Sequence, residues 1–176
     1  MLYALNSNEK WRILVGKKEE DDKFRDVEVL LRSFALLYGE KSYTGSMVQF
    51  LNRFSKDAQK FEEEEVKKCN QVFEDFLTVC EPIDPKEFLT KTGSFNVSLF
   101  DSVFVVIAKK IILSGVDSSK ISSEAFDSLK NDTAFRNAIT HSTSHVDSVK
   151  SRLSLARKYL YGIIDSELNS EGEDGK

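Results

Sequence analysis

Asn96–Gly115, NVSLFDSVFVVIAKKIILSG, decides the fold. From Leu99 to Leu113 it is apolar on nearly every side: Leu99, Phe100, Val103, Phe104, Val105, Val106, Ile107, Ala108, Ile111, Ile112 and Leu113. A helix that is apolar all round has to be covered by other helices. A buried strand at Val103–Ala108 and a membrane span are the competing readings, and periodicity alone does not separate a short strand from a buried helix. The run outlasts a strand, Asn96 stands where an N-cap belongs, and Gly115 stands where a helix ends. A span needs about 20 mostly apolar residues, and Asp101, Lys109 and Lys110 interrupt this stretch. The reading is a central helix at about 97–114 in an all-α, multi-helix orthogonal bundle, with no membrane partner.

The flanking sequence supplies the helices that cover it. Residues 8–15, NEKWRILV, read as a short first helix capped by Asn8, with Trp11, Leu14 and Val15 inward. In Arg25–Tyr38, the residues Val27, Leu30, Leu31, Phe34, Leu37 and Tyr38 fall on one helical face, and Gly39 stops the run. Asp26 suits the N-terminal dipole, and Glu28 with Arg32 forms an i,i+4 pair in the favourable order. Ser46 and Gln49 have the spacing of a capping box opening a helix that buries Met47, Phe50, Leu51 and Phe54. Phe61–Cys80 is amphipathic through Val66, Cys69, Val72, Phe73, Phe76, Leu77 and Cys80. Its opening carboxylates, Glu62 to Glu65, read as a solvated first turn that complements the dipole. Asp84-Pro85 starts a short helix through Leu89.

After Gly115 comes a serine-rich connector, then helices at about Ser123–Leu129 and from near Asp132. The last helix, Val146–Leu168, places Val146, Val149, Leu153, Ala156, Leu160 and Ile163 on a packing seam. Residues 1–168 are expected to form one helical domain, and 169–176 a flexible acidic tail.

Composition narrows the function class. A chain of 176 residues with 40% hydrophobic and 31% charged residues is an ordinary globular balance. The net charge of −4 disfavours a nucleic-acid binder as a whole, although a local basic face remains possible. Two cysteines, Cys69 and Cys80, make neither a metal knuckle nor a disulfide framework and read as reduced thiols of a cytoplasmic protein. No secretory leader opens the sequence.

Few residues carry chemistry. His141 and His145 are four apart and can chelate a metal on a helix, but Ser142 stands where the zinc-protease pattern needs glutamate, and no third ligand is identifiable. No G-x-S-x-G elbow and no phosphate-cradling glycine loop is present. No catalytic residue, metal site or cofactor is assigned. The remaining signal is Thr140–Arg157 and its neighbour. Thr140, Ser142 and Thr143 crowd a helix start, followed by Lys150, Arg152, Arg157 and Lys158. Hydroxyls and amides at a helix N-terminus can hold a phosphate, and basic residues can touch a nucleic-acid backbone. Capping by the hydroxyls and a wet basic face account for the same residue types and are preferred.

Several blocks together carry a resemblance. Arg25-Asp26-Val27-Glu28-Val29-Leu30-Leu31-Arg32-Ser33-Phe34-Ala35-Leu36 is followed by Tyr43-Thr44-Gly45-Ser46-Met47, then Phe50-Leu51-Asn52, Leu99-Phe100-Asp101 and Thr140 through Arg152. Over roughly residues 9–160 this resembles the helical region after the ParB/sulfiredoxin-like N-terminal domain of GmrSD-type restriction proteins (domain of unknown function 262). The resemblance implies a longer bacterial protein. Its N-terminal domain would carry an Asp-Gly-Gln-Gln-Arg motif linked to nucleotide use and DNA cleavage, and some members add a His-Asn-His nuclease domain. This chain has neither motif, so no catalytic residue transfers. The family-like positions are Arg25, Asp26, Glu28, Arg32, Gly45, Ser46, Asn52, Asp101, Thr140, Thr143 and Arg152. The expectation is a non-catalytic accessory domain whose partners are the N-terminal domain of the same chain, DNA, or a second copy. The alternative is a stand-alone protein-interaction module with no nucleic-acid role.

Overall fold

The computed structural model describes residues 1–114 and 120–162. Within them run nine α-helices: α1 (Leu2–Asn6), α2 (Glu9–Leu14), α3 (Arg25–Gly39), α4 (Met47–Ala58), α5 (Glu63–Val79), α6 (Val97–Ser114), α7 (Ser123–Asn131), α8 (Thr133–Thr140) and α9 (Val146–Tyr161). Two 3-10 turns, Glu40–Ser42 and Pro85–Phe88, join α3 to α4 and lead toward α6. No strand forms among the described residues; Leu89 and Phe95 make a single antiparallel bridge. None of the described helices is long and apolar enough to cross a membrane.

The protein is an all-α bundle built around α6, on which α3, α5, α8 and α9 pack. Asn96 caps α6 by accepting the amide of Leu99 at 3.0 Å. Every residue from Ser98 to Ala108 is buried. Burial ends at Ile111, and Ile112 and Leu113 are exposed, so α6 leaves the core in its last turn. An aromatic cluster fills the space around it. Phe104 meets Phe34, Phe73 and Phe76, and Phe100 meets Trp11, Phe76, Phe88 and Phe95. Edge-on and tilted ring pairs of this kind add about 0.5–1.5 kcal/mol each beyond the area they bury.

Local signals placed most of the other helices. Asn8 accepts the amide of Trp11, Asp84 that of Lys86, Ser122 that of Ala125 and Asp132 that of Phe135. Ser46 accepts the amide of Gln49 at 3.5 Å, the cap half of the expected box. The reciprocal box forms instead on α5, where Glu62 is the N-cap and the Glu65 carboxylate accepts the Glu62 amide at 2.9 Å.

Five expectations change. Helix α1 precedes the expected first helix; five residues are too short for a helical period to register. The buried arc of α3 comprises Val29, Leu30, Ser33, Phe34, Ala35, Leu36 and Leu37, while Val27 and Leu31 are half-buried and Tyr38 is exposed. Its neighbours α1, α4 and α6 cover more of α3 than a single stripe. Arg32 reaches α6 rather than Glu28, which stays exposed. Gly39 is the last residue of α3, and the chain continues as a 3-10 turn instead of stopping. The last helix ends at Tyr161, short of the expected Leu168, where Gly162 takes a left-handed φ of 69° as its cap. The Gly115 cap, the start of the serine-rich connector, Ile163, Leu168 and the tail lie outside the described residues.

Candidate functional site

Arg32, Asp101 and Arg152 meet where α3, α6 and α9 converge. Asp101, on the otherwise apolar α6, is fully buried. One oxygen accepts Ser33 Oγ at 2.8 Å, and the other accepts Arg32 Nε at 2.5 Å. Arg152 of α9, also fully buried, brings Nη2 to 3.7 Å from that second oxygen. Its Nη1 donates to the Thr143 carbonyl at 2.5 Å, while Nε and Nη2 have no hydrogen-bond partner. Arg32 Nη2 also lies 3.4 Å from Ser98 Oγ. The Tyr43 hydroxyl donates to the Ser144 carbonyl at 2.5 Å, so two successive loop carbonyls are turned inward.

One carboxylate thus faces two guanidiniums. Desolvation pushes the Arg152 pKa down, to about 10, against the raising pull of Asp101. Desolvation also raises Tyr43, against the lowering effect of Arg32 and Arg152.

A second rung repeats this arrangement further along, between the 3-10 turn that follows α3 and helices α6 and α9. Glu40, eight residues after Arg32, accepts Arg157 Nη2 at 2.5 and 2.6 Å and also pairs with Lys109, eight residues after Asp101. Burial works against the Glu40 carboxylate, but Arg157 and Lys109 together hold its pKa below the usual range. Again one acid serves two cations, and again one of them comes from α9. The pair of rungs fastens the last helix to α3 and α6.

A third network lies at the other end of α3. Arg12, nearly fully buried, donates to Asn6 Oδ1 at 3.1 Å, to Asp26 Oδ2 at 3.0 Å and to the carbonyls of Lys17 and Glu19. Trp11 Nε1 shares the Asn6 acceptor at 3.0 Å. Asp26 therefore anchors the charged loop rather than merely facing a helix dipole. Arg25 is exposed and pairs with Asp21, whose pKa it depresses below the ordinary carboxylate range.

The remaining sequence-derived positions are spread out. Thr140 Oγ1 donates back to the Arg136 carbonyl at 2.6 Å. Ser142 is exposed, with φ of 46° at the turn into α9. Lys150, Lys158 and Asn52 are exposed on their helices. Gly45 takes φ of 99°, and a Cβ there would sit 3.4 Å from Val146 Cγ2, so the turn before Ser46 lies against the start of α9. His141 and His145 are both exposed. No group of three His, Cys, Asp or Glu side chains suited to a metal occurs among the described residues.

Of the candidate phosphate contacts, then, Arg152 and Arg157 point into the bundle, and Thr143 contributes a backbone carbonyl. Ser33, Glu40, Tyr43, Ser98 and Lys109 belong to the networks without having been singled out from the sequence. Ser33, Ser98 and Lys109 share one signal, a polar residue within the apolar run of α3 or α6, whereas Glu40 and Tyr43, in the 3-10 turn and just after it, carry none. Comparison of the chain with protein-family models, with curated proteins and with solved structures finds no match.

Proposed function

We propose that this chain is a non-catalytic helical accessory domain of a bacterial, cytoplasmic, GmrSD-like restriction or defence protein. In this reading it supports engagement of DNA or a partner by an N-terminal domain of ParB/sulfiredoxin-like fold, which carries the nucleotide-dependent nuclease chemistry. One observation carries the reading. Arg32, Asp101, Thr143 and Arg152 come from three separate blocks of the resemblance, and they meet in one buried network. A network of this kind ties sequence blocks together because removing one buried partner leaves another charge uncompensated. Its role is to hold α9 in place, which is the role of a scaffold.

The test has two arms. Antibody to the domain, used on lysate of the source cells, is expected to detect a product well above the 20.0 kDa of this chain. The purified chain is expected to neither cleave DNA nor hydrolyse nucleotide. A 20.0 kDa product contradicts the multidomain reading, and turnover by the chain alone contradicts the non-catalytic one.

The stand-alone interaction module is favoured by a different observation. With Arg152 buried and Arg157 bound to Glu40, Lys150 and Lys158 are the exposed basic residues of α9. Salt separates the two readings: a DNA contact neutralising several phosphates weakens steeply between 50 and 200 mM salt, by a factor of about 10³ or more for six phosphates.

A further inference from the structure

We infer that residues 163–168, Ile-Ile-Asp-Ser-Glu-Leu, dock on the exposed last turn of α6 and cover Ile112 and Leu113. This inference does not depend on the family reading.

The patch exists because α6 outruns its cover. Buried from Ser98 to Ala108, α6 meets solvent at Ile112, 51% exposed, and Leu113, 77% exposed. Helices α6 and α9 run parallel, and three cross-links set their register. Asp101 faces Arg152, Lys109 meets Arg157 through Glu40, and Lys110 Nζ lies 6.0 Å from the centre of the Tyr161 ring. Leu113 stands one turn beyond Lys109 and Lys110, at i+4 and i+3, so it continues the face that α9 covers. Ile112, at i+3 from Lys109, flanks it. Helix α9 stops at Tyr161, level with Lys110, and Gly162 ends it in a left-handed conformation. Among the described residues, α9 therefore leaves the last turn of α6 without a neighbour.

Where the chain goes next names the occupant. One helical turn rises about 5 Å and two extended residues span about 7 Å, so the residues that follow Gly162 reach Leu113 without a linker. They are Ile163 and Ile164, and Leu168 is the next large aliphatic side chain. Charge selects the same segment. Among the described residues neither Lys110 nor Lys158 has a carboxylate partner, and each lies against a tyrosine ring instead. Asp165 and Glu167 follow the two isoleucines closely. Residues 163–176 hold five acids and one lysine, which is the whole net charge of −4, so residues 1–162 are neutral. A second copy of the bundle thus brings no excess of acid to these lysines. A nucleic-acid backbone matches the lysines but offers Ile112 and Leu113 no apolar cover.

The test is NMR of the 176-residue chain with labelled isoleucine, leucine and valine methyl groups. Cross-peaks from Ile112 and Leu113 to Ile163 or Ile164 are expected, with relative intensities that survive dilution. Hydrogen exchange reads the strength of the contact. In Ile163→Ser with Ile164→Ser, the amides of Lys110 to Ser114 should exchange about tenfold faster. Those of Val103 to Ala108 should keep their rates, which shows that the bundle is intact. Asp165→Asn with Glu167→Gln should raise the same α6 rates about threefold. Absence of the cross-peaks, or unchanged exchange in either variant, overturns the inference. Cross-peaks to Val116 instead assign the patch to the connector. Cross-peaks between differently labelled copies, lost on dilution, assign it to a second copy. Either of these results also overturns it.

Discussion

Asp101 shares one carboxylate between Arg32 and Arg152, and the consequence for stability depends on what is removed. Replacing the three together by apolar residues of similar size, Arg32→Met with Asp101→Leu and Arg152→Met, deletes the charges and their desolvation cost at once. Such replacements are neutral or stabilising by about 1–4 kcal/mol in other buried networks. We expect the triple variant to unfold in urea at or above the midpoint of the natural chain.

The depressed pKa of Arg152 has the same meaning: burial makes the charged guanidinium a penalty at neutral pH, relieved only above about pH 10. Glu40 has the opposite sign. Its folded pKa lies below its ordinary value, so its contribution is full above the carboxylate range and is lost as pH falls through the folded value. Glu40→Gln should cost about 2 kcal/mol at pH 7, and the gap between variant and natural chain should shrink as pH falls below the ordinary carboxylate range and close below the depressed folded value. A gap that is constant with pH would show that the Glu40 charge contributes nothing.

At the scale of elements, α6 was legible in the sequence because nothing else explains so long an apolar run. The caps at Asn8, Ser46, Asp84 and Asn96 were legible because each cap residue precedes its own helix. What was not legible is pairing across the fold. Arg32 looked like the partner of Glu28 because that pair is local, whereas its actual partner is 69 residues away. Arg152 and Arg157 looked like a wet face because the i,i+3 and i,i+4 pattern of α9 does not say how much of the helix its neighbours α6, α7 and α8 cover. Asp101, a lone acid inside an apolar helix, was the one residue that announced a buried partner. Arg12, beside Trp11, gave no such warning.

The turn into α9 gives an element-scale prediction. Ser142 holds a left-handed φ of 46° that glycine adopts without strain. Ser142→Gly should stabilise the chain by up to about 1 kcal/mol, read from the urea midpoint. Gly45→Ala, at φ of 99°, should destabilise it by about 1 kcal/mol or more.

For the whole molecule, the arrangement around α6 predicts one cooperative unit. Trp11 is the only tryptophan, is fully buried, and touches Phe73, Phe95 and Phe100 from three elements. Its emission and the far-ultraviolet helix signal should therefore change in a single coincident urea transition. Separate transitions would mean that α7, α8 and α9 unfold independently of the rest.

The central claim is that Arg152 of α9 is coupled to Asp101 in the buried network between α3, α6 and α9. The most direct measurement is a double-mutant cycle on Asp101→Asn and Arg152→Met by urea unfolding at pH 7, followed through Trp11. Each single change should be costly, and the second should add little to the first, with an interaction energy of about 1–3 kcal/mol. Additivity to within about 0.5 kcal/mol would contradict the claim and return Arg152 to the surface role its sequence context suggests.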